Sequence, residues 1–190
     1  GLITPSNGEI FIDGIPLNSK NRIKLLSLMN FASPYIELPK KLTVKQNLEV
    51  YARLYGIENK DERIEELITD LKLNNFLKKN TGELSSGQKN RVSLAKSLIN
   101  KPKLLFLDEP TASLDPDVGD FVREYLESYK SKNELTILLA SHNMKELERL
   151  CDKIVMMKQG RIVDEGTCSD LIFKHGRKNL EETFLKIARS

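Results

Sequence analysis

Apolar and polar residues follow two different spacings along this chain. Between Asp61 and Leu73 the apolar residues recur every three or four positions, which predicts a helix with one buried face. Leu104–Leu107 and Leu135–Leu139 are short apolar runs without alternation, typical of parallel strands covered on both faces. Glu9–Gly14 favours a strand that ends in an Asp-Gly turn. The same patterns predict helices over Asn47–Tyr55, Pro116–Lys130, Asn143–Leu150 and Leu180–Ala188, a helix that carries Val92, Ala95 and Leu98, and a hairpin of Ile154–Met157 with Ile162–Val163.

The order of these elements indicates the fold class. Strand, helix, strand and helix follow one another after residue 101, which favours an α/β core with right-handed crossovers. Residues 40–99 show only helix and loop patterns, and they therefore predict an inserted helical lobe. Asp115 and Pro116 mark a helix start, because Asp is a favoured N-cap residue and Pro suits the first helical position.

Composition narrows the classes of function. A chain of 190 residues buries enough surface to fold without a disulfide or a metal. Its 30 Lys and Arg residues are interspersed with 27 Asp and Glu residues, so no basic arm indicates a nucleic-acid partner. Cys151 and Cys168 lie in no CxxC or Cys/His pattern, which favours two reduced thiols in a cytosolic protein. No apolar run is long enough to cross a bilayer, so we expect another protein to hold this one at any membrane where it works.

Two adjacent carboxylates, Asp108 and Glu109, follow the apolar run Leu104–Leu107. Ligands of open α/β sheets bind at the carboxyl ends of the strands. Neighbouring acids repel one another there, and Mg²⁺ offsets that cost: one carboxylate can hold the metal's water shell while the next accepts a proton from an attacking water. An acidic cap after a core strand explains the pair equally well, so the pattern alone leaves both interpretations open.

Two further groups fit a phosphate ligand. His142 follows the apolar run Leu135–Ala140, so we expect it at the same sheet edge as the two acids, as a phosphate or water contact. A lone His at a strand end is more often structural. Ser85, Ser86 and Gly87 precede a helix, whose first N–H groups suit a phosphate. An ordinary capped helix would use the same residues.

Taken together, the motifs resemble those of the ABC ATPases. Their order along the chain makes a chance match improbable, and the resemblance extends from Gly1-Leu2, similar to the end of the P-loop helix, to the last helix. The motifs are Leu84–Gln88, similar to the LSGGQ signature; Leu104–Glu109, similar to the Walker B strand with its catalytic glutamate; Ser113–Asp115, similar to the D-loop; and His142, similar to the switch histidine.

The resemblance implies a P-loop NTPase fold. This fold has an α/β core with a mainly parallel sheet, an N-terminal antiparallel β portion and an inserted α-helical subdomain. We expect a single ATPase domain with four parts: a partial β and core portion (1–39), the helical subdomain with the signature loop (40–99), the core with Walker B and the switch histidine (100–165), and a C-terminal helical segment (166–190).

The resemblance also implies the cofactors, ATP and Mg²⁺, and a role for each motif residue. Asp108 would hold Mg²⁺, Glu109 would be the general base, and His142 would contact the γ-phosphate. The signature residues would contact ATP bound to a second ABC ATPase subunit, and the D-loop aspartate would link the two sites. These residues are Ser85, Ser86, Gly87, Gln88 and Asp115.

The function that the resemblance implies is ATP hydrolysis that powers transport through a separate membrane permease, from the cytoplasmic face of the membrane. Asn30–Asn47 and Asn179–Leu185 are most similar to subunits of exporters. Two alternatives stay open: an ABC protein that acts on ribosomes or DNA, and a catalytically dead remnant that serves only as a binding module.

Three departures from the family pattern qualify these expectations. The chain contains no G-x-x-x-x-G-K-[ST]. We therefore expect a strand–loop–helix unit upstream of Gly1, and a chain that binds ATP poorly and hydrolyses it hardly at all without that unit. Ser86 replaces the usual Gly of the signature. Ser33 or Pro34 stands where a Mg²⁺-contacting Gln is expected, and a water bridge from Ser33 is one substitute for that Gln.

Overall fold

The computed structural model describes residues 3–112 and 114–189, and the chain divides into two units after Leu138. The first unit begins with the predicted strand and turn. Strands β1 (Phe11–Ile12) and β2 (Ile15–Pro16) pair antiparallel. The turn residues between them both have positive φ, 52° at Asp13 and 72° at Gly14, which is the backbone that an Asp-Gly hairpin turn requires.

A parallel strand pair lies at the centre of the first unit. Strand β3 (Met29–Ala32) follows the short helix α1 (Arg22–Ser27) and pairs in parallel with β4 (Leu104–Asp108). Strand β5 (Thr136–Ala140) begins in this unit and follows β4 in the sheet order β3-β4-β5. Helix α1 was not predicted, because its six residues bury only one side chain and show no apolar periodicity.

The apolar strands differ in how well they are covered. Leu105 and Leu107 of β4 are buried, whereas Leu104 and Phe106 on the opposite face are half-buried, so the predicted cover is complete on one face and partial on the other. Leu138 of β5 is 56% exposed, so the prediction of cover on both faces is wrong for that strand within the described residues.

The helical lobe contains the two predicted helices, α2 (Val44–Leu54) and α3 (Lys60–Asp70), and then α4 (Ser86–Leu98). Helix α2 begins three residues before the predicted start, because Thr43 and Gln46 form a capping box. Two 3₁₀ turns, Asn74–Phe76 and Thr81–Glu83, connect α3 to α4. The apolar residues predicted to share one face are buried: Ile64, Leu67 and Ile68 within α3, and Leu71 directly after it.

Helix α5 (Pro116–Lys132) leads from β4 towards β5. Pro116 occupies the first helical position, as predicted. Asp115 stands at the predicted N-cap position, and its side chain accepts no capping hydrogen bond there.

The second unit contains helix α6 (Met144–Leu150), the predicted hairpin of β6 (Ile154–Lys158) and β7 (Arg161–Gly166), helix α7 (Cys168–His175) and helix α8 (Leu180–Arg189). Helix α7 was not predicted; a capping box of Thr167 and Asp170 starts it, and Gly176 ends it in the left-handed region at φ 59°. The core of this unit consists of Ile154, Met156, Leu171 and Leu180.

A buried carboxylate joins β7 to α7 in the second unit. Both oxygens of Asp164 lie 2.6 Å from a basic group, Oδ1 from Lys174 Nζ and Oδ2 from His175 Nε2. The hydrogen bond from Lys174, followed by that of His175, lowers the pKa of Asp164 to about 2.

Candidate functional site

The two acids predicted as a site lie at the carboxyl end of β4. Asp108 is the last residue of the strand and is partly buried. Glu109 has φ +48°, a left-handed backbone that is uncommon for a residue other than Gly and costs about 1–3 kcal/mol. The chain turns there, since the N–H of Ala112 donates to the carbonyl oxygen of Glu109 at 3.1 Å. Backbone strain at this acid fits a functional site better than a simple helix cap.

Ser33 directly contacts Asp108. Its hydroxyl donates to Asp108 Oδ2 at 3.1 Å and accepts from the N–H of Tyr35 at 3.3 Å. The parallel register pairs Ala32 with Leu107, so the residue after each strand lies beside the other. The sequence did not predict this contact, and the suggested water bridge from Ser33 to Mg²⁺ stays a prediction.

The signature-like segment forms the start of α4. Ser85 is the N-cap: its hydroxyl accepts from the N–H of Gln88 at 3.3 Å, and Gln88 Oε1 accepts from the N–H of Ser85 at 3.2 Å. This reciprocal pair confirms the predicted cap at Ser85 and gives Gln88 a structural role that the sequence did not predict. The helix begins earlier than predicted, because Ser86 and Gly87, which were expected to precede it, already belong to it.

Gly87 allows α4 to approach α5 closely. A Cβ atom at Gly87 would lie 3.2 Å from Val118 Cγ1, tighter than an ordinary van der Waals contact. The sequence suggested that Gly87 brings backbone N–H groups close to a ligand, and its packing against α5 is a second reason for a glycine there. Ser86, the departure from the signature, is exposed on the first turn of α4.

Two polar residues of α4, not predicted as site residues, tie this helix to the strand ends. Asn90 Nδ2 donates to the carbonyl oxygen of Pro110 at 2.6 Å. Lys96 Nζ donates to the carbonyl oxygen of Phe31, in β3, at 2.8 Å, and burial lowers the pKa of Lys96. Neither residue belongs to a motif. The sequence could have indicated them only as polar residues among the apolar positions of a helix.

Three segments of the first unit line one cavity of about 370 Å³. They are the stretch that follows β3, the first turns of α4 and the loop that follows β4. The structure therefore brings the signature-like helix and the Walker B-like strand end together around a common space. Residues from each segment include Ser33, Pro34, Ser86, Asn90, Pro110 and Ala112.

Two of the remaining predicted residues, Asp115 and His142, lie on exposed segments. Asp115 is exposed just before α5, and Ser113, of the D-loop match, lies outside the described residues. His142 is exposed in the second unit, between β5 and α6, where Asn143 caps α6 by accepting from the N–H of Glu146 at 3.4 Å. That His142 shares a sheet edge with Asp108 and Glu109 stays a prediction.

The acids at the end of β4 suit a metal that is shared with a ligand. Among the described residues, no group of three or more His, Cys, Asp or Glu side chains could hold a metal alone. Mg²⁺ typically takes only one or two carboxylates and fills its remaining positions with waters and substrate phosphates. A single carboxylate, Asp108, oriented by a hydroxyl, therefore fits Mg²⁺ bound together with a nucleotide.

Comparison with known proteins identifies the family. The profile of the ABC transporter family matches residues 1–112. The Nod factor export ATP-binding protein I of Rhizobium sp. (strain N33) is 35% identical over 179 residues, which cover 92% of this chain and 58% of that protein. The ABC transporter ATP-binding protein NatA of Bacillus subtilis (strain 168) is 31% identical over 191 residues, which cover 97% of this chain and 75% of that protein.

A solved structure described as the ATP binding subunit of an ABC transporter superposes with a TM-score of 0.87 at 27% identity, over 98% of this chain and 79% of that one. This likeness confirms the predicted α/β P-loop NTPase fold. The chain spans little more than half the length of the Nod factor export relative. No helix in the described part of the chain is both long and apolar enough to cross a membrane. The family match and the NatA relative establish that this chain belongs to the ABC transporter family, among its ATP-binding subunits.

Proposed function

We propose that residues 1–190, together with an upstream segment that carries the phosphate-binding loop (called the full-length protein below), hydrolyse ATP to power export across a membrane through a separate permease subunit. The observation that carries this proposal is the contact between Ser33 and Asp108 at the adjoining ends of β3 and β4, with Glu109 next in the chain. A carboxylate that is oriented by a hydroxyl, and is followed at once by a second acid, suits a metal–nucleotide complex and an attacking water.

Glu109 is the general base in this proposal, and it accepts a proton from the water that attacks the γ-phosphate. Its left-handed backbone turns the chain directly after Asp108, so the two neighbouring acids serve separate roles. Asp108 would hold Mg²⁺, and the bound metal would supply positive charge that neutralises the charge developing on the phosphate oxygens. His142 contacts the γ-phosphate from its place after β5.

The start of α4 serves a second ATPase subunit. Ser85 and Ser86 are exposed at the N-terminus of a 13-residue helix, where free N–H groups and the helix dipole favour phosphate oxygens. Ser85 retains its hydroxyl proton for donation, because in the capping box its oxygen only accepts. Gly87, Gln88 and Asp115 complete the surface that faces ATP on the partner.

Turnover belongs to the full-length protein in this proposal. The 190 residues contain no G-x-x-x-x-G-K-[ST], the loop whose N–H groups and lysine hold the β- and γ-phosphates. We propose that these residues alone bind ATP weakly and hydrolyse it hardly at all.

We also propose that residues 1–190 belong to one ATPase domain, with the four parts predicted from sequence.

Two partners follow from the proposal: a second ABC ATPase subunit and a membrane permease that recruits the protein to the cytoplasmic face of the cell membrane. The name of the Nod factor export relative supports export, and the description of the matching structure as a subunit supports a multi-component transporter. The helical lobe and the exposed stretch around Tyr35 and Ile36 would dock on the permease.

Affinity purification of the tagged full-length protein tests this proposal. We expect Mg²⁺-dependent ATP hydrolysis and co-purification of an integral membrane protein from detergent-solubilised membranes. Recovery of ribosomes in place of a membrane protein would contradict the transport role. Absence of ATP hydrolysis from the full-length protein with its membrane partner would indicate a binding module and contradict the enzymatic role.

A further inference from the structure

We propose that Ser33 is a positioning residue that sets the Mg²⁺ affinity of the site by holding the Asp108 carboxylate in one orientation. This inference rests on the proposed function and extends it. The resemblance to the family places a metal-contacting glutamine at Ser33 or Pro34, and neither residue has an amide side chain. Ser33 acts through Asp108 and does not bind the metal itself.

Ser33 is built into the fold and is not a surface residue that happens to lie nearby. Only 6% of the residue is exposed, and it follows the last residue of β3 directly. The register of the two parallel strands places it beside Asp108, which lies 75 positions further along the chain. Lys96 anchors the same strand end by donating to the carbonyl oxygen of Phe31.

The Ser33 hydroxyl is held both as a hydrogen-bond acceptor and as a hydrogen-bond donor. It accepts from the N–H of Tyr35 at 3.3 Å, and its single proton is donated to Asp108 Oδ2 at 3.1 Å. The carbonyl oxygen of Ser33 also accepts a hydrogen bond from the N–H of Ile36 at 3.3 Å, so a backbone turn fixes the main chain of Ser33 as well as its side chain. The direction of the hydroxyl is therefore set by the fold before any ligand binds.

The two carboxylate oxygens of Asp108 therefore have different surroundings. Oδ2 accepts a hydrogen bond from the hydroxyl of Ser33, and no other residue that the structure describes donates a hydrogen bond to the carboxylate. Oδ1 therefore remains available to a metal or to the metal's water shell. A hydrogen bond to one carboxylate oxygen restricts rotation of the group, and outer partners of this kind typically contribute about 10–100-fold to metal affinity.

Substitutions of Ser33 separate this role from a purely structural one. Ser33→Ala removes the donor, and Ser33→Cys keeps the volume while leaving only a weak donor. Ser33→Thr retains the hydroxyl and is the conservative rescue. Ser93→Ala is the matched control, because Ser93 lines the same cavity and has no hydrogen bond to Asp108.

The measured quantity is ATP binding by the full-length protein. Each variant is combined with Glu109→Gln, so that ATP hydrolysis does not consume the ligand during the measurement. The affinity for a fluorescent ATP analogue is measured without metal and at increasing Mg²⁺, and Mn²⁺ binding is followed by electron paramagnetic resonance. We expect Ser33→Ala and Ser33→Cys to raise the Mg²⁺ concentration at half-saturation about tenfold. We expect an unchanged metal-free affinity in both variants, and a value within about threefold of the unsubstituted protein for Ser33→Thr and Ser93→Ala.

The outcomes distinguish this inference from the function on which it rests. An unsubstituted protein whose ATP affinity does not respond to Mg²⁺ would overturn both proposals. A normal Mg²⁺ response in a folded Ser33→Ala or Ser33→Cys variant would overturn the role of Ser33 alone and leave the proposed function intact. An equal loss in metal-free affinity would also overturn it, because that result would assign Ser33 to nucleotide binding or to general stability.

Discussion

The side-chain amide of Asn90 donates a hydrogen bond of 2.6 Å to the carbonyl oxygen of Pro110, the residue after Glu109. The same helix meets α5 at Gly87, where the absence of a side chain leaves room for Val118. The helix that begins with the signature-like residues is therefore attached at two points to the segment that follows the acidic pair. In a dimer that places ATP between two subunits, the start of α4 would face the ATP bound to the partner. The link would then connect this surface with Glu109, the proposed base of the same subunit.

Asn90→Ala tests this link in the full-length protein. The substitution removes the hydrogen bond from Asn90 to the carbonyl oxygen of Pro110, which is buried. We therefore expect the free energy of unfolding to fall by about 1–3 kcal/mol. We also expect slower turnover, because the backbone beside Glu109 is no longer held. Asn133→Ala is the control: Asn133 Nδ2 donates to the carbonyl oxygen of Tyr129 at 2.8 Å, within one helix end. Equal turnover in the two variants would contradict the link.

Gly87→Ala tests the close contact between α4 and α5. Alanine favours a helix by about 1 kcal/mol over glycine, but its Cβ would crowd Val118. We expect Gly87→Ala to destabilise the protein when Val118 is present and to stabilise it in a Val118→Ala background. The measurement is a double-mutant cycle of unfolding free energies, with an expected coupling of about 1 kcal/mol or more. The same effect of Gly87→Ala in both backgrounds would show that the contact relaxes without cost.

Glu109→Gln tests the proposed base. The amide is similar in size to the carboxylate and cannot accept the proton of the attacking water, so we expect turnover to fall about 10²–10⁴-fold. ATP binding should be retained, because this residue is not assigned to the metal or to the nucleotide. Steady-state hydrolysis and equilibrium ATP binding of the full-length protein provide the two measurements. Turnover within threefold of the unsubstituted protein would identify a different base.

A comparison of the 190 residues with the full-length protein tests the need for a phosphate-binding loop. We expect the 190 residues to hydrolyse ATP at least about 100-fold more slowly, because preorganised donors to a transferring phosphate each contribute about that much. Circular dichroism and a cooperative melting transition would show that the shorter chain is folded. Equal rates in two folded proteins would disprove the requirement.

Asp164→Asn tests the ion pairs that the buried carboxylate of Asp164 forms with Lys174 and His175 in the second unit. The pKa of Asp164 is lowered from 3.8 to about 2 in the folded protein, first by Lys174 and then by His175. The charged pair therefore stabilises the folded state above about pH 4, and this contribution is lost as the pH falls from about 4 to 2. We expect Asp164→Asn to lower the melting temperature at pH 7 and to reduce the loss of stability between pH 4 and pH 2. Glu148→Gln, an exposed carboxylate of the same unit, should leave both measurements unchanged.

Local sequence predicted most helices and the hairpin of the second unit, because long amphipathic repeats, capping residues and turn residues act over a few positions. It failed for α1 and α7, which are only six and eight residues long and bury one side chain each. It located the N-cap at Asp115 correctly, although a favoured residue type does not guarantee that its side chain accepts a capping bond.

The amino-acid sequence by itself determined the family and the candidate site residues, because the order of Leu84–Gln88, Leu104–Glu109 and His142 along the chain is specific enough. Only the tertiary structure decided that Ser33 touches Asp108 and that Asn90 holds Pro110. These pairs lie 75 and 20 positions apart, and strand register and helix packing bring them together. A local pattern carries no information about such register, since it depends on how every intervening element packs.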